Sequence, residues 1–198
     1  MNNLLKVIGL ILILGSTLFT FKFIYDTYKD KQDTNKIIDE IFEDIDVSTP
    51  EVEQEENNYT EESIQKEFVL TNNYLGYIEF SNGNKRLITT GTDKRTLDKG
   101  LVGTITTSSN LDDEFGNIML AGHNTYNVFR TLHYLSIGDQ IKIVSHQNTY
   151  NFYVIEKHTI NDDDFSYFKQ VKDRKILTLI TCMNNGKQRL VVIAELRG

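Results

Sequence analysis

Cys182 is the only cysteine among 198 residues. A single thiol excludes an internal disulfide framework and any zinc site built on several cysteines. By default a lone cysteine is a small apolar residue in a core, so its surroundings must carry any chemical role. Asn185-Gly186, shortly after it, is the strongest hairpin signal in the chain. A two-residue turn of the primed type at that dipeptide pairs Asn184 with Lys187, Met183 with Gln188 and Cys182 with Arg189. Directly opposed residues share a face, with Cβ atoms about 4.5–5.5 Å apart. A guanidinium beside a thiol favours the thiolate, the reactive form of cysteine. Its fixed fork of donors also suits a substrate carbonyl or a developing oxyanion.

A thiol nucleophile needs a group that manages its proton and protonates a departing amine. Histidine suits this because it titrates near neutral pH. Four are available: His123, His133, His146 and His158. His133 falls in a short helical pattern (Val128, Leu132, Leu135), His146 beside a turn at Gln147-Asn148, and His158 at a strand end. His123 directly follows the apolar run Ile118-Met119-Leu120-Ala121, with Gly122 permitting close approach. That strand-end position makes it a modest favourite.

The elements that must position these residues are mostly strands. From Tyr74 onward, short runs rich in β-branched and aromatic residues alternate with Gly, Asn, Asp and Ser. They predict strands at 75–80, 86–89, 101–105, 117–121, 140–145, 149–156, 175–182 and 188–196. Eight short strands with few helices point to a mainly β fold, a single closed or nearly closed eight-stranded barrel, which leaves no long exposed edge.

Two segments precede the barrel. Residues 4–24 are apolar apart from Lys6 and Lys22, and as a helix they span about 31 Å, matching a bilayer's hydrocarbon core. A retained anchor is favoured over a cleaved signal, because no A-x-A-like site appears and the apolar run resumes at Leu18-Phe19. Residues 26–67 carry 15 acidic and 4 basic side chains, whereas 68–198 carry 13 and 15. The net charge of −7 therefore belongs to a spacer and not to the body. Ile37, Ile38, Ile41, Phe42 and Ile45 predict a short amphipathic helix within it, and 51–62 reads as solvated linker. The resulting division is an anchor at 1–25, an acidic linker at 26–67 and a catalytic barrel at 68–198. No basic patch of the nucleic-acid-binding kind is present.

Thr178-Leu179-Ile180-Thr181-Cys182 resembles the TLxTC signature of sortases, cysteine transpeptidases that join proteins to cell-wall amines. Leu120-Ala121-Gly122-His123 resembles the family's histidine segment, Arg189-Leu190-Val191-Val192 its arginine strand, and Gly76-Tyr77-Ile78-Glu79 its opening strand. The resemblance implies that Cys182 attacks an LPxTG-like sorting signal and that His123 shuttles protons between the two amines. It implies that Arg189 holds the acyl segment, with Thr181 helping to shape the oxyanion pocket. Implied partners are the sorting signals of secreted proteins, a cell-wall precursor amine and the membrane, with the catalytic domain outside the cell. No cofactor is required. Leu111-Asp112-Asp113-Glu114 resembles the calcium loop of class A enzymes, but two acidic positions of that pattern fall on Thr106 and Ser109. Asp113 with Asp162, Asp163 and Asp164 are the candidate calcium ligands, and a solvated acidic loop is the favoured reading. The spacing of Cys182 and Arg189 is closer to class B, so the subclass stays between class A-like and class B-like. A cysteine hydrolase using the same three residues, or a non-catalytic barrel with Cys182 in its core, are the alternatives.

Overall fold

The structure, a computed structural model, describes residues 2–42 and 74–197, with side chains from residue 5 onward. The expected linker at 51–62, Ile45 and the boundary at 67/68 lie outside the described residues. Helix α1 (Asn2–Phe42) is followed by strands β1 (Gly76–Phe80) and β2 (Lys85–Thr90), helix α2 (Lys94–Asp98), and strands β3 (Val102–Thr104) and β4 (Gly116–Ala121). A 3-10 turn (Arg130–His133) then leads to β5 (Gln140–Ser145), β6 (Thr149–Asn161), β7 (Lys175–Met183) and β8 (Gln188–Leu196). The strands close into a barrel in the order β1-β2-β3-β4-β7-β8-β6-β5. Two neighbouring pairs, β2 with β3 and β4 with β7, are parallel; the others are antiparallel.

Alternation along each strand fills the barrel. Leu177 and Leu179 of β7 join Leu190, Val192 and Ala194 of β8 and Ile118 and Leu120 of β4 in the interior cluster. Phe80, Phe129 and Phe152 are among its largest fully buried side chains, each stabilising the fold by on the order of 2–3 kcal/mol through apolar burial. On the outer face, Ile160, Ile180 and Val191 form a second cluster beneath Ile105, Tyr167 and Phe168.

The N-terminal segment differs from expectation in one respect. The apolar span and the amphipathic pattern belong to a single 41-residue helix. Nothing between Tyr25 and Lys36 is Pro or Gly, so continuing the helix costs little. The second half of α1 also finds partners on the barrel. Arg86, only 2% exposed, donates to Asp30 Oδ2 (2.9 Å) and Thr34 Oγ1 (2.8 Å) of α1 and to the carbonyl of Asn127. Further along α1, Ile38 and Phe42 are buried with Leu87 and pack against Tyr77 and Leu101.

The barrel end away from Cys182 is closed by a polar plug. Asp112 accepts from Ser145 Oγ (2.6 Å), Asn148 Nδ2 (3.1 Å) and the Tyr150 hydroxyl (3.0 Å), and Lys175 Nζ lies 3.4 Å from the Tyr150 ring centroid. Burial pushes the Asp112 carboxyl up, but these hydrogen bonds and Lys175 outweigh it and hold the group below the ordinary carboxylate range. Burial and Asp112 in turn push the Tyr150 hydroxyl up to about 12. A carboxyl depressed in the folded state binds fewer protons there than in the unfolded chain. Its contribution is therefore complete above an unfolded value of about 3.9 and is lost as pH falls through the lower folded value. The urea midpoint should fall across that acidic window, and Asp112→Asn should flatten this limb while lowering stability at neutral pH by about 1–3 kcal/mol.

Candidate active site

The β7–β8 hairpin keeps the expected register, but its loop is wider than a two-residue turn. Asn184 (φ 47°), Asn185 (φ 55°) and Gly186 (φ 88°) all occupy the left-handed region, so the ladder closes at Met183–Gln188 and the expected strand pairing of Asn184 with Lys187 does not form. Lys187 N donates to Asn184 O at 3.2 Å. Met183 consequently faces Gln188, and Cys182 faces Arg189. Cys182 is solvent-exposed, on the outer face of a strand whose interior face is packed. It is not a core cysteine.

His123 arrives from the other side. The parallel β4–β7 ladder runs to Ala121 opposite Ile180. It is continued by Gly122 N donating to Ile180 O at 3.1 Å and by Thr181 Oγ1 donating to Gly122 O at 2.8 Å. The next step of that register sets His123 beside Cys182 on the same outer face. Positions 123, 182 and 189 thus line up from just beyond the end of β4 across β7 to β8, with Cys182 in the middle position. Gly122 is required here because a Cβ would come within 2.9 Å of Val128 and Phe129, which are packed under the histidine turn.

The remaining histidines lie elsewhere. His133 is in the 3-10 turn. His146 stacks on Phe42 at the opposite barrel end, with Nε2 at 2.7 Å from Tyr74 O. A carbonyl only accepts, so Nε2 is the donor there. His158 pairs with Glu156 (2.8 Å) and packs on Tyr167. It stands two strands from β7, roughly 10 Å away at the usual strand spacing.

One residue of the site carries no signal in the sequence pattern. His123 Nε2 lies 3.1 Å from Asp98 Oδ1. A carboxylate only accepts, so Nε2 donates and Nδ1 carries the lone pair that can take a proton. Asp98 ends α2, a helix capped by Asp93, whose side chain accepts from Arg95 N (2.9 Å) and Thr96 N (3.2 Å). Hydrogen bonds from Lys94, then from His123, hold the Asp98 carboxyl below its ordinary range. Asp98 acts through His123 and is a positioning residue. Asp98→Asn should lower kcat/KM by about tenfold, because the imidazole loses its fixed orientation and tautomer. Steady-state kinetics together with an unchanged melting temperature would separate this from unfolding.

The hydrogen bonds of Thr181 and Arg189 narrow what each side chain can do. Thr181 is buried and its hydroxyl is committed to Gly122. Its side chain points into the barrel and does not line the face that carries Cys182; it ties the nucleophile strand to the histidine strand. Arg189 Nη1 donates to Gly186 O (2.6 Å) and Gln188 O (3.0 Å), which leaves Nε and Nη2 for a substrate oxygen. Arg189→Lys keeps the charge but loses the fork, and kcat/KM should fall by about 100-fold. Near-normal kinetics would remove Arg189 from the donor role.

The candidate calcium ligands do not converge. Asp113 accepts from Asn110 N (2.8 Å), and Asp164 from Ser166 N (2.9 Å). Among the described residues no three His, Cys, Asp or Glu side chains are grouped to hold an ion. The set does not fit a calcium site that needs six or more oxygens.

A family model for the sortase domain matches residues 78–197, from within β1 to past the end of β8. The chain belongs to the sortase family. Sortase D of Bacillus subtilis (strain 168) is 29% identical over 126 residues, a match that covers 61% of this chain and 62% of that protein, under two thirds of its length. A Clostridium perfringens sortase D5 transpeptidase superposes with a TM-score of 0.62 at 29% identity, covering 83% of this chain and 98% of that one. Listeria monocytogenes sortase A superposes with a TM-score of 0.57 at 27% identity, covering 63% and 88%. The sortase barrel is therefore the frame on which Cys182, His123 and Arg189 are aligned.

Proposed function

We propose that this sortase is a membrane-anchored cysteine transpeptidase that cuts an LPxTG-like sorting signal and transfers the acyl segment to a cell-wall amine. The row His123–Cys182–Arg189 on one exposed face carries the reading. Cys182 passes its thiol proton to His123 Nδ1 and attacks the scissile carbonyl carbon as the thiolate, and the resulting oxyanion is held by free donors of Arg189. Collapse breaks the C–N bond as His123 gives its proton to the departing amine, leaving a thioester on Cys182. The incoming amine attacks that thioester, His123 takes its proton, and the Cys182 thiolate is released. The apolar outer cluster of Ile160, Ile180 and Val191 beneath Tyr167 and Phe168 offers a surface for the signal's apolar residues. The D designation of both 29%-identical relatives supports grouping the chain with them.

The first half of α1 supports the anchor. Apolar side chains such as Leu12, Leu18 and Phe21 are about 70% exposed, a surface that lipid would cover. Its hydroxyls are satisfied within the helix, Ser16 on Ile13 O, Thr17 on Leu14 O and Thr20 on Ser16 O, as a segment without water requires. The barrel would then stand outside the cell, where sorting signals of secreted proteins emerge.

Incubating the full chain with a sorting-type peptide and oligoglycine, or another amine of the wall, tests the reading by mass spectrometry. A new amide between the acyl segment and the amine is expected. Hydrolysis alone with every amine offered would make the protein a protease and end the transpeptidase reading.

A further inference from the structure

The path of α1 orients the barrel. The apolar span ends at Ile24, and the helix first grips the barrel at Asp30, through Arg86 and Asn127. Six residues of helix put that grip about 9 Å beyond the end of the span. Arg86 lies at the start of β2 and Asn127 four residues after His123, both at the barrel end that carries Cys182. From there α1 descends the barrel wall, and Phe42 reaches His146 beside the far end of β5. The helix therefore comes to the barrel from its catalytic end, and that end is the one turned toward the bilayer.

A cleft of about 660 Å3 opens between the emerging helix and this end of the barrel. One wall is formed by the last turn of the span and the next two turns of α1, with Phe23, Ile24 and Lys31. The other wall carries Tyr126, Arg130 and Tyr134. Tyr126 and Tyr134 are 65% and 79% exposed, although tyrosines of this kind are at home in the headgroup layer of a membrane. No carboxylate lines the cleft. Asp30, next to the lining Lys31, is already held by Arg86 and Asn127. Among the described residues neither Lys31 nor Arg130 has an ion-pair partner. Half of the wall is continuous with the membrane span, so lipid is the molecule at hand to fill the gap. Two unpaired cations select its charge.

We propose that this cleft seats the headgroup of an anionic phospholipid from the bilayer that α1 spans, and so holds the catalytic end of the barrel at the membrane surface. The proposal rests on the reading of α1 as a membrane span. Tyr126 stands three residues after His123, so the headgroup contact adjoins the turn that carries the imidazole. Acyl acceptors displayed at the membrane surface would meet the active site without crossing the length of the barrel.

The chain has no tryptophan, so single replacements report alone. Full-length Phe19→Trp, Tyr134→Trp and Phe115→Trp variants are reconstituted in phosphatidylglycerol vesicles with lipids brominated along the upper acyl chain. Phe115 precedes β4, at the opposite end of the barrel, roughly 20 Å away along the strand. Phe19→Trp and Tyr134→Trp should lose most of their emission while Phe115→Trp keeps its own. Adding Lys31→Glu and Arg130→Glu to Tyr134→Trp should restore emission, as should replacing phosphatidylglycerol by phosphatidylcholine. Quenched Phe19→Trp with unquenched Tyr134→Trp overturns the headgroup site and leaves the anchor standing. Unquenched Phe19→Trp removes the anchor itself. Equal quenching at Tyr134 and Phe115 overturns the orientation, and equal quenching in both lipids overturns the anionic assignment.

Discussion

Cys182→Ala should reduce turnover to the uncatalysed background, a loss of about a million-fold in kcat if removal of a covalent nucleophile has its usual effect. No second thiol exists to take over. The adjacent hydroxyl, Thr181 Oγ1, faces the barrel interior and is bonded to Gly122, so it cannot reach a carbonyl on the outer face. The fold should be indifferent to the change, because Cys182 is exposed and the interior layers of β7 are untouched. The measurement is amide-product formation by mass spectrometry alongside a thermal melt. Loss of activity with an unchanged melt is expected; activity near wild type would mean that another residue is the nucleophile.

His123→Ala should cost about 100- to 10,000-fold in kcat/KM, the range typical of a lost general acid–base. The imidazole is about 40% exposed, so its removal opens no core cavity. The change removes the group that protonates the departing amine and relieves the incoming one of its proton. Replacing His133, His146 or His158 with glutamine should leave kinetics close to wild type. His146 serves the contact between α1 and the far barrel end, and His158 the packing of Tyr167. A comparable loss at any of these three would move the acid–base role away from β4.

The strands are legible in the sequence because each is short, alternating and closed by turn residues. The alternation predicts an end to β6 at residue 156, whereas the strand runs to Asn161. A register shift between Val154 and Glu156 accounts for this, since a bulge breaks the two-residue alternation at the point where the pattern stops. Helix α2 has a favourable N-cap in Asp93 but leaves no clear sequence signal, because five residues hold too little periodicity to register. The class A-like and class B-like alternatives rest on the acidic run at 111–114 and on the spacing of Cys182 and Arg189, while both relatives at 29% identity bear the D designation.

Sequence alone determined the pairing of Cys182 with Arg189. A tight turn is a local object, and Asn185-Gly186 at its tip sets the register on either side even though the loop takes in Asn184 and Lys187 as well. The tertiary structure decided the rest of the site. His123 is 59 residues from Cys182 and reaches it only through the parallel β4–β7 ladder, a pairing that barrel closure selects and no local pattern encodes. The same closure carries α2 to the histidine and supplies Asp98. It also exposes Arg86 to Asp30 of α1, which turns an anchor and a catalytic barrel into one oriented unit. Local turn chemistry placed the thiol beside its guanidinium, and long-range strand order brought the imidazole.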